Sequence, residues 1–259
     1  MRLCHAGAMS RVLSKPKAEA AGASARVPVP APSRASWQEI YDALREAVMR
    51  HRLDPGAKIV EEELAELFGV SRTIVRAALQ ALGRDGIVVI ERNKGARLAR
   101  PSPREAREIF EARELIEPRL ALLAAARLSP GDVERLGAAI EAEHRALHAD
   151  NLGEGLFQSA EFHRVIAAAS GQAVLTTMLG DLLSRSSLVL ALYWRRPEAF
   201  CENEAHHALV EALAGGDGER AARLMQQHIA ALLAGLDLTE RPLRRSSIAE
   251  ALSRADDGL

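Results

Sequence analysis

Two helical patterns, Glu61 to Phe68 and Arg72 to about Arg84, are separated only by Gly69-Val70-Ser71, and a β-branched run follows at once. This spacing limits the fold more than any other feature. The first helix turns Leu64, Ala65 and Phe68 to one face, Gly69 supplies a tight turn, and Ser71 stands at an N-cap. In the second, Val75, Ala78, Leu79 and Leu82 form the inward face, and Asp85-Gly86 ends it. Ile87-Val88-Val89-Ile90, the turn Arg92-Asn93-Lys94-Gly95 and Ala96-Arg97-Leu98-Ala99 then read as a two-stranded hairpin. An earlier helix carries Ile40, Ala43, Leu44, Ala47 and Val48, begins on the capping-box pair Ser36 and Glu39, and stops before Leu53-Asp54-Pro55-Gly56. Helix, helix, turn, helix, hairpin is the order of a winged helix-turn-helix, here spanning 36–101.

Pro101-Ser102-Pro103 marks a boundary, and beyond it only helical periodicity is found. Segments of about 104–127, 131–149, 153–169, 172–194, 202–214 and 218–236 are separated by breaks such as Ser129-Pro130-Gly131 and Gly215-Gly216-Asp217-Gly218. The fold expected is therefore mainly α: a winged helix-turn-helix with a small two-stranded wing, then an all-α antiparallel helical bundle over 102–240. Residues 1–35, rich in Ala, Pro, Ser and basic residues, are expected to form a flexible extension, with a basic arm on DNA phosphates as the alternative. Residues 241–259 are expected to be a frayed tail.

Charge divides along the same lines. Residues 1–35 carry a net charge of +5, residues 36–101 carry +1 and residues 102–259 carry −7, so nucleic-acid contact is expected from the N-terminal third. Aromatic residues are only 3%, which argues against single-strand or RNA binding on stacked bases. The two cysteines, Cys4 and Cys201, form neither a disulfide framework nor a Cys-rich zinc motif and suit a reducing cytosol. No signal-like run and no stretch of roughly 20 apolar residues is found, so a cytoplasmic, nucleoid-associated protein without a membrane span is expected.

At the start of the second helix of the motif, Ser71 and Thr73 can donate to phosphates. Arg72 and Arg76, four residues apart on one face, can each make paired hydrogen bonds to guanine. Asn93-Lys94-Gly95 at the hairpin tip can enter a minor groove. In the bundle, His163, His206 and His228 lie on three separate segments. Imidazoles from separate helices can converge on a divalent cation, although by spacing alone ordinary packed or surface histidines are the commoner reading. Glu141-Ala142-Glu143-His144 and Glu204-Ala205-His206-His207 also contain the Glu-x-x-His spacing of di-iron bundles, with Glu134 and Glu161 as candidate bridging carboxylates.

Leu53-Asp54-Pro55-Gly56, Glu63-Leu64-Ala65, Phe68-Gly69-Val70-Ser71-Arg72-Thr73, Val75-Arg76-Ala77-Ala78-Leu79 and Gly86-Ile87 resemble the GntR family of bacterial regulators in order and spacing. The resemblance implies DNA contact by Ser71, Arg72, Thr73, Arg76 and the wing tip Lys94-Gly95. Some members place a basic DNA-contacting residue at the start of the preceding helix, where this chain has Glu61-Glu62-Glu63, so that helix is left out. The stretch Glu111 to Glu117, then Phe162-His163, His206, Val210 to Leu213 and Met225 to His228 is similar to the FCD effector domain of the FadR-like subgroup. That likeness implies a homodimer on double-stranded operator DNA, a small organic-acid effector, and a zinc, nickel or manganese ion on His163, His206 and His228. It places Arg113 at the effector and sets His207 out of register. Ser159 stands where the family has its acidic fourth ligand. The reading is a transcriptional repressor controlled by a metabolite and not an enzyme; a ligand-independent adaptor whose bundle serves only dimerisation is the alternative.

Overall fold

A computed structural model describes residues 35–91, 95–194 and 203–239, with the side chains of 203 and 204 excepted. The expectations for residues 1–34, the wing tip including Lys94, and the tail from 240 onward lie outside the described residues.

The head opens with α1 (Trp37–Met49), whose N-cap Ser36 accepts from the Glu39 amide while Glu39 accepts in return. Then come β1 (Lys58–Ile59), α2 (Glu61–Leu67), α3 (Arg72–Arg84), β2 (Val88–Glu91) and β3 (Gly95–Leu98). Ile40, Leu44, Val48, Leu64, Val75, Leu79 and Leu82 bury the inner faces of the three helices against Ile59, Ile87 and Leu98. The wing is a three-stranded antiparallel sheet of order β1-β3-β2, not the two-stranded hairpin expected. Lys58 pairs with Arg97 and Ile59 with Ala96, while Val88 to Glu91 pair with Leu98 to Gly95. β1 is two residues long and exists only because β3 offers its free edge, so its own sequence carries no periodicity to announce it.

Six helices follow among the described residues: α4 (Pro103–Ala125), α5 (Pro130–His148), α6 (Leu152–Ala169), α7 (Ala173–Tyr193), α8 (Asn203–Ala214) and α9 (Gly218–Ala234). Ser102 and Ser129 start α4 and α5 with the same reciprocal cap seen at Ser36, each followed by proline at the first helical position. α4 packs most broadly on α9, and α5 on α6. Phe110, Ala121, Leu136, Phe162, Val189, Leu213, Met225 and Ile229 lie in their common core.

α7 corrects one expectation: it is 21 residues long and apolar enough to cross a membrane by length and composition. Its buried residues lie between Leu179 and Tyr193, while Val174 and Met178 near its start are exposed. It packs on α4 and α6 and also on α1 of the head, and Leu188 belongs to the core of the head. Arg185 adds a contact at Gly86.

Head and bundle meet closely at the end of α1. The Ser187 hydroxyl is within donating distance of the carbonyls of Val48 (3.2 Å) and Met49 (3.4 Å), tying the end of α1 to α7. Arg50 forms an ion pair with Glu154, and its guanidinium lies 3.8 Å from the Phe157 ring centroid. Gly153 lies so near the Arg50 carbonyl that a Cβ would overlap it, so only glycine fits there. The linker is fixed as well, since the buried Tyr193 hydroxyl donates to the Pro101 carbonyl at 2.9 Å.

Candidate functional site

Two sites emerge, one on each side of the linker. On the head, Ser71, Arg72, Thr73 and Arg76 are exposed along the first turns of α3. Ser71 is the N-cap by backbone geometry, yet its hydroxyl makes no capping hydrogen bond and stays open to an outside partner. Lys58, Gln80, Ile90 and Gly95 join these arginines around a groove of about 530 Å³ between α3 and the wing. Gly95 has φ +86 with nothing near its missing Cβ, so the turn conformation, not crowding, calls for glycine.

The arginines are not bare. Arg76 Nε donates to Glu61 Oε2 at 2.8 Å, Arg72 lies 3.5 Å from the same oxygen, and Arg72 also pairs with Glu62 at 2.7 Å. The acidic start of α2, left aside as a DNA contact, thus acts on the two arginines from beside them. Spacing along the chain could not show this, because α2 and α3 approach only through the Gly69 turn.

Inside the bundle, α6, α8 and α9 bring His163, His206 and His228 together, with one ligand-capable atom of each within 4.8 Å of the others. His206 Nε2 and His228 Nε2 are 3.3 Å apart, and the His206 ring stacks on Phe162 at 4.3 Å. His163 is 2% exposed, and its Nε2 has no hydrogen-bond partner. A buried nitrogen left without a partner is costly, and beside two other ligand-capable nitrogens it fits a place for an ion. Burial pushes His163 down despite Glu117, and burial first, then the charges of His206, His163 and Arg113, holds His228 well below the usual imidazole range. Neutral rings at His163 and His228 suit a divalent ion, which binds imidazole in its uncharged form. The residues present therefore fit a zinc-like cation with three nitrogen ligands and positions left for water or a ligand oxygen. His207 is exposed and faces His144 instead (ring centroids 5.8 Å), as its register implied.

Sequence reasoning did not single out two carboxylates. Glu117 on α4 accepts from Arg113 Nε at 2.6 Å, and its other oxygen lies 2.5 Å from His163 Nδ1, close but without the alignment of a hydrogen bond. Burial would raise the Glu117 carboxyl, but Arg113 and His163 outweigh it and bring it to about 2. Glu143 on α5 meets His206 Nδ1 at 3.0 Å. A signal did exist: Glu143 sits at helical spacing from Leu136, Ala139 and Ile140, a charge on an apolar stripe. Arg113 is 2% exposed rather than solvated, and it lines a cavity of about 20 Å³ with Met49, Ser159, His163, Ser186 and Ser187. Ser159 is buried at this wall and brings a hydroxyl where an acid was looked for. The di-iron reading finds no support: Glu134 and Glu141 are exposed, and Glu161 is paired with Arg164.

A three-helix head with a winged sheet, joined to an all-helical domain with a buried histidine cluster, defines a two-domain winged-helix regulator. Residues 37–98 match the family model of bacterial regulatory proteins, gntR family, and residues 108–231 match the FCD domain. A putative L-lactate dehydrogenase operon regulatory protein of Escherichia coli is 30% identical over 221 residues, covering 74% of this chain and 82% of that protein. The HTH-type transcriptional regulator LutR of Bacillus subtilis is 28% identical over 200 residues, covering 68% and 90%. Among solved structures, E. coli McbR/YncC has the same fold, with a TM-score of 0.68 at 24% identity over 76% of this chain and 96% of that one. The chain belongs to the GntR family, in the FadR-like group with a C-terminal FCD domain, whose members are DNA-binding transcriptional regulators and not enzymes.

Proposed function

We propose that this protein is a cytoplasmic homodimeric repressor that reads a roughly palindromic operator, one head per half-site, and releases it when a small carboxylate binds in the bundle. Ser71 and Thr73 hold phosphates, Arg72 and Arg76 read guanines, and Gly95 with Lys94 carries the wing tip into the minor groove. His163, His206 and His228 would hold a divalent cation, zinc, nickel or manganese, which would supply a Lewis-acidic point for the effector's oxygens. Arg113 offers the second charge, held in aim by Glu117.

One observation carries the reading of effector control. Met49, the last residue of α1 in the head, is also a wall of the cavity that Arg113, Ser159 and His163 line. At about 20 Å³ this space has room for about one water, so a metabolite enters only by moving a wall. An effector that displaces Met49 therefore binds the two head positions with different affinity, as ligand control requires. The small volume equally favours a second reading, an adaptor with no effector.

Genome-wide mapping of bound sites, followed by operator titration of the full-length protein with and without zinc and L-lactate, tests the proposal. L-Lactate is the first probe because of the operon in the E. coli relative's name. Loss of operator affinity with a short carboxylate in metal-replete protein is the expected result. If a panel of short carboxylates changes neither operator affinity nor melting temperature in metal-replete protein, the adaptor reading replaces this one.

A further inference from the structure

Burying a carboxylate costs several kcal/mol unless a positive charge meets it. Glu117 is 1% exposed and has Arg113 beside it as counter-ion. Glu143 is 3% exposed, and among the described residues its one ion-pair contact is His206. Two buried carboxylates and one buried guanidinium thus surround the histidines, an excess of one negative charge. The fold retains this excess although position 159 holds serine.

Both carboxylates face the Nδ1 side of their imidazoles. An anion there keeps the ring proton on Nδ1 and leaves the Nε2 lone pair free, the arrangement that orients metal-bound histidines from behind. His206 Nε2 faces His228, and His163 Nε2 is buried without a hydrogen-bond partner. The two acids lie on α4 and α5, whereas the rings come from α6, α8 and α9, so five helices converge on the cluster.

We propose that Glu117 and Glu143 are positioning residues of the cation site: Glu143 by a hydrogen bond and Glu117 by its adjacent charge each orient one imidazole for coordination through Nε2, and together they supply the negative charge that Ser159 does not. The inference rests on reading the cluster as a metal site. Full-length parent, Glu143→Ala, Glu143→Gln, Glu117→Gln and His163→Ala are stripped of metal and titrated with zinc against a chromophoric chelator. Cobalt absorption reports coordination independently of affinity. Parent is expected to bind zinc and His163→Ala to lose it. Glu143→Ala should bind about 10–100-fold more weakly, with part of the loss restored in Glu143→Gln, whose carbonyl still accepts from Nδ1. Glu117→Gln strands Arg113 and can fail to fold, so the Glu143 pair decides. Parent binding with Glu143→Ala within about twofold of it overturns the proposal and leaves the metal reading standing. If the parent takes up neither zinc nor cobalt, both fall.

Discussion

Arg72 and Arg113 are both arginines paired with glutamates, and their surroundings give the pairs opposite meanings. Arg72 and Glu62 meet at 2.7 Å with more than half of each side chain in water. Arg113 and Glu117 meet at 2.6 Å with almost none of either exposed. The exposed pair is weak, screened by salt and readily traded for a phosphate or a base edge. Breaking the buried pair leaves an uncompensated charge, so separating it is costly. A reading surface benefits from charges that change partners, whereas a sensing cavity needs charges that do not.

The largest test of that contrast is Arg113→Ala, expected to destabilise the fold by about 3–5 kcal/mol in denaturant titration because Glu117 loses its counter-ion. A cost below about 1 kcal/mol would show that the pair behaves like a surface one. On the head, Arg76→Ala should cost about 1–3 kcal/mol of operator affinity with relaxed base preference at one position, and Lys94→Ala should mainly flatten the salt dependence. Unchanged binding by both variants breaks the assignment of the reading face.

The junction between the regions is expected to lose stability at acidic pH through His51. His51 follows α1 with φ 52, and its Nε2 is sealed from water without a hydrogen-bond partner. Burial lowers its pKa from 6.5 to about 4. The unfolded chain therefore binds this proton first, and the contribution is complete above about pH 6.5 and lost as pH falls towards 4. Each pH unit in that window removes at most about 1.4 kcal/mol. His51→Asn, which tolerates the left-handed backbone, should flatten the slope of stability against pH there. The smallest effect is expected from Glu62→Gln, under about 0.5 kcal/mol in folding stability. Its affinity for non-specific DNA should rise at low salt as a competing carboxylate disappears; a large loss of stability would mean that the pair supports the fold.

Among the described residues the helices from α2 to α9 were legible in the sequence to within about two residues, because each combines a 3.6-residue apolar period with local stop signals. Ser36, Ser102 and Ser129 are self-contained signals, each with an acid three residues on. What escaped depends on partners distant in sequence. β1 exists by pairing with β3, some 40 residues later. The histidines could be named from a family likeness, but Glu143 becomes part of the site only when α8 brings His206 to it. Likewise nothing near Met49 or Arg50 in the chain announces that α6 and α7 will receive them.

That seat of α1 bears on how heads and bundles can be recombined. Pro101-Ser102 looks like the natural place to join the head of one regulator to the bundle of another, and covalently it is. The packing boundary lies elsewhere, since Val48 to Arg50 are held by Ser187, Glu154 and the bare backbone of Gly153. A chimera cut at the linker would carry a foreign helix end into a socket shaped for this one. Exchange of specificities should then succeed only when the last turn of α1 travels with the bundle, or when position 153 remains glycine in the recipient.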